Sequence, residues 1–373
     1  MRRRDGLRLL LGAACASAWA AERDDAVRRG RRLRFPEDHG AHPGARTEWW
    51  YLTGHLRAAG LPVNAPPHWG FQITFFRSRT GLAASLPGRF APRQLLFVHA
   101  ALTDLGVPGQ PGRHVHDQCI ARWNGVDATP RAHATLGDTG LALGGWALLR
   151  SATDGAYTAC LVADAFALDL QLQPTQPLLL QGDQGFSQKG PQPEHASHYY
   201  SQPQLSVQGS VGQGTAAPVQ VQGRAWLDHE WSNSLMATGT VGWDWVGVNL
   251  FDGSALTAFR LRSLGDAPPV WAGGSFRDAQ GRTTIFGPRD VHFEPGRRWT
   301  SPATGAAYPL QWKLHTPVGQ FTLNALLDAQ ELDSRVSTGT VYWEGLSALA
   351  DAAGRQIGLG YLEMTGYAGR LAL

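Results

Sequence analysis

The feature that most constrains this chain is a period of two in its apolar residues. It recurs in short runs: EWWYLTGHL (48–56), GFQITFFR (70–77), LLFVHAAL (95–102), FALDLQLQ (166–173), WDWVGVNL (243–250), ALTAFRLR (255–262), FTLNALL (321–327) and GLGYLEMTGY (358–367). Side chains of a strand point to alternate faces, so such runs read as half-buried strands rather than helices. They are rich in aromatic and β-branched residues and are separated by Gly, Pro, Asp or Asn, the residues that turn a chain. The sequence predicts an all-β fold of sandwiches or barrels.

With 373 residues the chain is long enough for two cores. A weak internal repeat points the same way. Aligning EWWYLTGHL (48–56) with GWDWVGVNL (242–250) matches Trp49 with Trp243, Tyr51 with Trp245 and Leu56 with Leu250. Each stretch then passes through a turn into a second run that ends in Phe-Phe-Arg77 or Ala-Phe-Arg260, as if one hairpin were used twice. The stretch SVQGSVGQGTAAPVQVQG (206–223) lacks bulky side chains, which predicts a boundary at residue 224 between domains 35–223 and 224–373.

Residues 1–20, MRRRDGLRLLLGAACASAWA, join a basic start to an apolar run and a small-residue end, the pattern of a signal peptide cut after Ala20. Arg3-Arg4 fits twin-arginine export, and Cys15 stands in a poor lipoprotein box. The expected location is periplasmic or secreted. The leader holds Arg2, Arg3, Arg4 and Arg8 against Asp5, a net +3, which is the whole formal charge of the chain. The remainder is near neutral, so charge gives no support for a nucleic-acid partner. Cys119 and Cys160 remain beyond the leader, and their spacing does not say whether they meet.

The stretch WLDHEWSNSL (226–235) sets Asp228, His229 and Glu230 between two tryptophans. Alternation places Trp226, Asp228 and Glu230 on one face, and Leu227, His229 and Trp231 on the other. Asp244 shares a face with Val246, Val248 and Leu250, and Glu48 shares one with Trp50, Leu52 and Leu56. A carboxyl with apolar walls has its charged form disfavoured, which is one way to keep a general acid protonated at neutral pH. The competing reading is a pairing with an arginine such as Arg46, or a buried polar network that only specifies the fold. The chain has no HExxH or CxxC and no GxSxG elbow, so neither a metal site nor a serine hydrolase is expected. Lys189, Ser187, Ser197, Tyr199 and Tyr200 fall in QGDQGFSQKGPQPEHASHYYSQPQL (181–205), read as a long broken loop lining a cleft or covering a seam.

Several motifs, FPEDHGAHPGARTEWWYLTG (35–54), GDQGFSQKG (182–190), SHYYSQPQL (197–205), WLDHEWSNSL (226–235), GWDWVGVNL (242–250), SPATGAAYPLQW (301–312) and YWEG…GLGYLEMTGY (342–367), resemble the carotenoid hydratase (CrtC)/AttH family. The resemblance implies two consecutive lipocalin-like β-barrel or sandwich domains and no cofactor. It also implies an extended hydrophobic ligand, a polyene, isoprenoid or lipid. Name-giving members add water to the terminal double bond of acyclic carotenoids, whereas secreted AttH-like members are associated with ABC-type envelope transporters. The expected role is binding of such a ligand in envelope transport or lipid handling, because the leader argues against pigment synthesis, with a hydratase as the alternative. The resemblance directs the catalytic roles to Asp244, Glu230 and His229. Together with the strand faces and the 181–205 segment read above, it places the ligand beside Trp231, Trp243, Trp245, Tyr199, Tyr200, Lys189, Glu48 and Trp50.

Overall fold

The computed structural model describes residues 25–62, 64–81, 91–107, 109–123, 132–234, 236–265 and 267–370, so the leader at 1–20 lies outside the described residues. Apart from a 3-10 turn at Glu37–His39, its regular elements are all strands. The first sheet takes β1 (Thr47–Ala58), β2 (Trp69–Arg79), β3 (Gln94–Asp104), β4 (Arg113–Trp123), β5 (Ala132–Ala134), β6 (Gly140–Leu143), β7 (Trp146–Arg150), β8 (Tyr157–Val162), β9 (Phe166–Gln173), β10 (Leu179–Leu180), β11 (Phe186–Gln188), β12 (Ala196–Gln213) and β13 (Val219–Ser232). The second takes β14 (Gly242–Leu250), β15 (Ala255–Arg262), β16 (Trp271–Arg277), β17 (Thr283–Phe286) and β18 (His292–Pro295). After the small hairpin β19 (Arg298–Thr300) and β20 (Ala307–Pro309), it continues with β21 (Gln311–Thr316), β22 (Gly319–Ala325), β23 (Glu331–Ser334), β24 (Thr340–Ala350) and β25 (Gln356–Met364).

The repeat is architectural. The first sheet contains the order β3-β2-β1-β13-β12, and the second contains β16-β15-β14-β25-β24. In each, the opening strand lies between its hairpin partner and the last strand of its own sheet. The first sheet curls until β4 comes back beside β5 and β6, a nearly closed barrel. Its interior is filled by side chains, among them Trp50, Phe71, Phe75, Trp123, Trp146 and Leu148. The second sheet is a half-barrel around Val246, Val248, Trp312, Trp343, Leu362 and Met364.

Two expectations need correction. The boundary at residue 224 falls inside β13, which pairs with both β1 and β12; the chain leaves the first sheet only after Ser232. The small residues before it form the β12–β13 hairpin rather than a linker. A Cβ on Gly223 would lie 1.9 Å from the His55 carbonyl oxygen, so small side chains here serve close strand approach. The segment 181–205 is not one loop either. SHYYSQPQL runs along β12, and Pro203 sits where the β12–β13 register shifts between Gln202 and Leu205.

That irregularity ties the two sheets together. Gln204 adopts φ 59°, and its N–H donates to Asn249 Oδ1 (2.8 Å). Its side-chain amide donates to the carbonyls of Leu250 and Ser254, both at 2.9 Å, while Asn249 Nδ2 donates to the Ala225 carbonyl (3.0 Å). These groups are buried, where hydrogen bonds are the condition for placing polar atoms at all.

Candidate active site

Because side chains alternate, each sheet has an inner face and a face turned to the other sheet. The residues expected to form one site divide between three places.

The inner face of the first sheet holds Glu48, Trp50, Tyr200, His229 and Trp231, all buried. Glu48 Oε1 accepts from His42 Nδ1 (2.7 Å) and from His229 Nε2 (2.9 Å), and Arg77 Nε donates to Glu48 Oε2 (2.7 Å). A carboxylate only accepts, so His229 carries its proton on Nε2 and takes the Tyr200 hydroxyl proton on Nδ1 (3.1 Å). Tyr200 Oη in turn accepts from His39 Nδ1 (2.7 Å). Trp50 stacks on His229 and Trp231 on His42, with ring centroids 4.5 and 3.6 Å apart. Burial holds His229 neutral, down at about 4. Burial also opposes the charge on Glu48, but Arg77 and His42 outweigh it and keep the carboxylate well below its ordinary range. His42, Glu48 and His229 bring ligand-type atoms within 4.8 Å of one another. Each of those atoms already has a partner, and Arg77 supplies the positive charge. The arrangement is a closed hydrogen-bond network that locks β1, β2, β12 and β13 together.

Asp244 lies on the inner face of the second sheet, fully buried, as its apolar neighbours predict. It receives Arg260 Nε at 2.7 Å and the Tyr367 hydroxyl at 2.9 Å. It therefore stands apart from Glu230 and His229 and has an arginine against it, as Glu48 does. Arg77 and Arg260 are the two arginines that close the repeated hairpins. The same acid–arginine pairing is used once in each sheet.

The facing sides bring together the rest, with acids that sequence reasoning did not single out. In the first sheet the register sets Tyr51 and Ser201 on either side of Asp228, and Trp49 and Tyr199 on either side of Glu230. Asp228 accepts from Tyr199 Oη (2.8 Å), Ser201 Oγ (2.5 Å) and Trp226 Nε1 (2.7 Å). Lys189 Nζ donates to Glu230 Oε1 (2.7 Å) and lies 5.1 Å from the centre of the Trp49 ring. In the second sheet the row reads Trp245, Glu363, Glu344 on adjacent strands. Trp245 Nε1 donates across the junction to Tyr199 Oη (3.3 Å). Gly247 leaves room for that indole; a Cβ there would lie 2.4 Å from its Cη2. Tyr51, Trp226, Trp245, Leu346 and Tyr361 form one apolar cluster here, with Trp49, Trp243 and Phe259 packed against it.

The electrostatics favour neutral carboxyls. Burial pushes Asp228 up to about 7 against the pull of its three donors, with Glu230 adding to the rise. Burial likewise raises Glu363 to about 7, with the Glu230 charge adding to the rise and the Trp243 indole lowering it. Glu344 is raised well above the carboxylate range by burial and then by the charge of Glu363. Two carboxyls opposed across adjacent strands cannot both ionise cheaply, so the pair retains a proton at neutral pH. A cleft of about 160 Å³ opens beside Tyr199 and Phe259, with Trp271, Phe286, Gln181 and Arg29 also on its walls. Alternation in VYWEGL and GYLEM is the signal that would have put Glu344 and Glu363 beside the tyrosines. Of the expected site residues, Glu230, Lys189, Tyr199, Trp243 and Trp245 are at this junction.

The family model for AttH-like proteins matches residues 26–367. The crystal structure of an AttH protein from Nitrosomonas europaea is 43% identical, with a TM-score of 0.81, over 92% of this chain and 99% of that one. Kievitone hydratase from Nectria haematococca shares the fold at 14% identity, with a TM-score of 0.65, over 93% of this chain and 95% of that one. No curated protein matches the sequence.

Proposed function

The chain belongs to the AttH-like family, and we propose that it is a hydratase that adds water to a carbon–carbon double bond of an extended hydrophobic substrate at the junction of its two sheets. The observation that carries this reading is the Glu344–Glu363 pair, two opposed carboxyls among Tyr51, Trp243 and Trp245. Protonating an isolated alkene makes a carbocation, which requires a neutral carboxylic acid in a dry site. The proton that the pair retains supplies that acid. Its transfer forms the C–H bond, and the electron-rich faces of Trp243, Trp245 and Tyr51 lie beside the cation. Water then forms the C–O bond and returns a proton to the pair, so the cycle closes with water as the only co-reactant. Asp228 holds Tyr199, which in turn accepts from Trp245, and so positions the aromatic wall.

The substrate class is a hydrophobic alkene, with a polyene or other isoprenoid as the specific reading. The shared fold with a protein named as a hydratase of kievitone supports the reaction class. A carrier of the lipocalin type needs an open barrel, whereas Trp50, Phe71, Phe75, Trp123 and Trp146 occupy this one. That weighs against hand-over to an envelope transporter as the main role. The leader-like segment supports a periplasmic or secreted location, which cell fractionation tests. Incubating the purified protein with lycopene tests the activity. A product heavier by one water is expected, and lycopene bound and recovered unchanged contradicts the reading.

A further inference from the structure

Three polar atoms at the junction are buried and make no hydrogen bond of normal geometry among the described residues, Tyr51 Oη, Gln72 Oε1 and Glu344 Oε1, although the Tyr51 and Glu344 side chains lie close enough to interact with each other. Their residues are 6%, 1% and 2% exposed. Such atoms are costly to bury without a partner.

The strand crossing sets their residues between two pairs of contacting neighbours. At one end of the crossing, a Cβ on Gly70 of β2 would lie 2.9 Å from Leu346 Cβ and 2.7 Å from Tyr361 Oη. At the other, His99, the cross-strand neighbour of Thr74, bonds through Nδ1 to Tyr342 Oη (2.8 Å). Gln72 is the middle residue between Gly70 and Thr74, and Glu344 is the middle residue between Leu346 and Tyr342. Both are on the facing sides of their strands. Tyr51 is the diagonal neighbour of Gln72 on β1 and packs with Leu346 and Tyr361. The Gln72 amide nitrogen donates to Thr74 Oγ1, which leaves its carbonyl oxygen as the end without a partner.

We propose that Tyr51, Gln72 and Glu344 bind the water molecule that attacks the substrate cation, with Gln72 as its positioning residue. The inference rests on the hydratase reading for the fate of that water. A hydrocarbon substrate offers none of these atoms a hydrogen-bond donor, whereas water fits the set. It donates to Gln72 Oε1 and Glu344 Oε1 and accepts from the Tyr51 hydroxyl. One lone pair is left to form the C–O bond. As it forms, the O–H bond toward Glu344 breaks and that proton replaces the one the carboxyl pair gave to the substrate. Without Gln72 the water is misplaced and the cation instead loses a proton to the pair, giving an isomerised alkene.

The test combines crystallography with product analysis for the wild type, Gln72→Leu and Tyr51→Phe, using lycopene as the probe. The wild type is expected to show one ordered water bonded to all three atoms. Both variants are expected to lose it while keeping the fold. Hydration should fall about 100-fold, the scale of a misplaced reactant, while isomerised lycopene accumulates. Hydration by a wild type that lacks this water, or an unchanged product ratio in both variants, overturns the water site alone. A wild type that leaves lycopene unchanged overturns the hydratase reading and the water's role with it.

Discussion

Glu344 and Glu363 stand directly opposite one another on antiparallel β24 and β25, facing the aromatic side chains of the first sheet. Carboxyls in that relation are about 5 Å apart at Cβ and repel when both are charged. Removing one charge should therefore spare the fold while removing the chemistry. Glu344→Gln and Glu363→Gln are each expected to lower turnover by about 10²- to 10⁴-fold. Their thermal unfolding midpoints should match or exceed that of the wild type. Calorimetry beside product analysis checks both halves.

The pH dependence has a definite sign. Glu363 and Asp228 are raised to about 7, so the stability they confer is present below their unfolded values of 4.5 and 3.8 and is lost as pH rises toward 7. Glu48 and Asp38 are lowered, so theirs is present above their unfolded values and lost as pH falls. The contribution of Glu363 and Asp228 therefore declines between about pH 4.5 and 7, that of Glu48 and Asp38 is lost below about pH 4.5, and His229, held neutral down to about 4, contributes stability above its unfolded value of 6.5 that is lost as pH falls. Glu363→Gln should flatten the alkaline limb and leave the acidic one, which melting curves across pH will show.

Asp244→Asn separates structure from catalysis. Arg260 loses its partner, and breaking a buried ion pair costs about 3 kcal/mol or more. Turnover per folded molecule should stay within a few-fold of the wild type. A selective loss of turnover with intact stability would return Asp244 to the active site.

Tyr199→Phe removes one of the three donors to Asp228 and the acceptor of the Trp245 indole N–H. The expected cost is about 1–3 kcal/mol of stability. With the indole no longer held, the apparent KM for lycopene should rise more than kcat falls. Steady-state kinetics on the variant decides this.

Much of this was legible in the residues. Period-two runs gave the strand class, and WLDHEW divides between faces as alternation requires, with Trp226, Asp228 and Glu230 toward the second sheet. The repeated hairpin also carried its own answer about Glu48 and Asp244, because Arg77 and Arg260 close the two copies. What it could not give was register across sheets. Glu344 and Glu363 are far in sequence from Tyr51 and Asp228, and only the docked sheets bring them together. Gly-rich hairpin strands imitated a linker, because close strand approach and chain flexibility select the same small residues. Pro203 imitated a loop because a bulge admits proline inside a strand.

The most direct test of the central claim is hydration of lycopene in D₂O. If the carboxyl pair supplies the proton, the hydrated product carries one deuterium on carbon next to the new hydroxyl-bearing carbon. Glu344→Gln and Glu363→Gln, still binding lycopene, should form it about 10²- to 10⁴-fold more slowly. Wild-type turnover in both variants would contradict the account, as would a hydrated product with no deuterium on carbon.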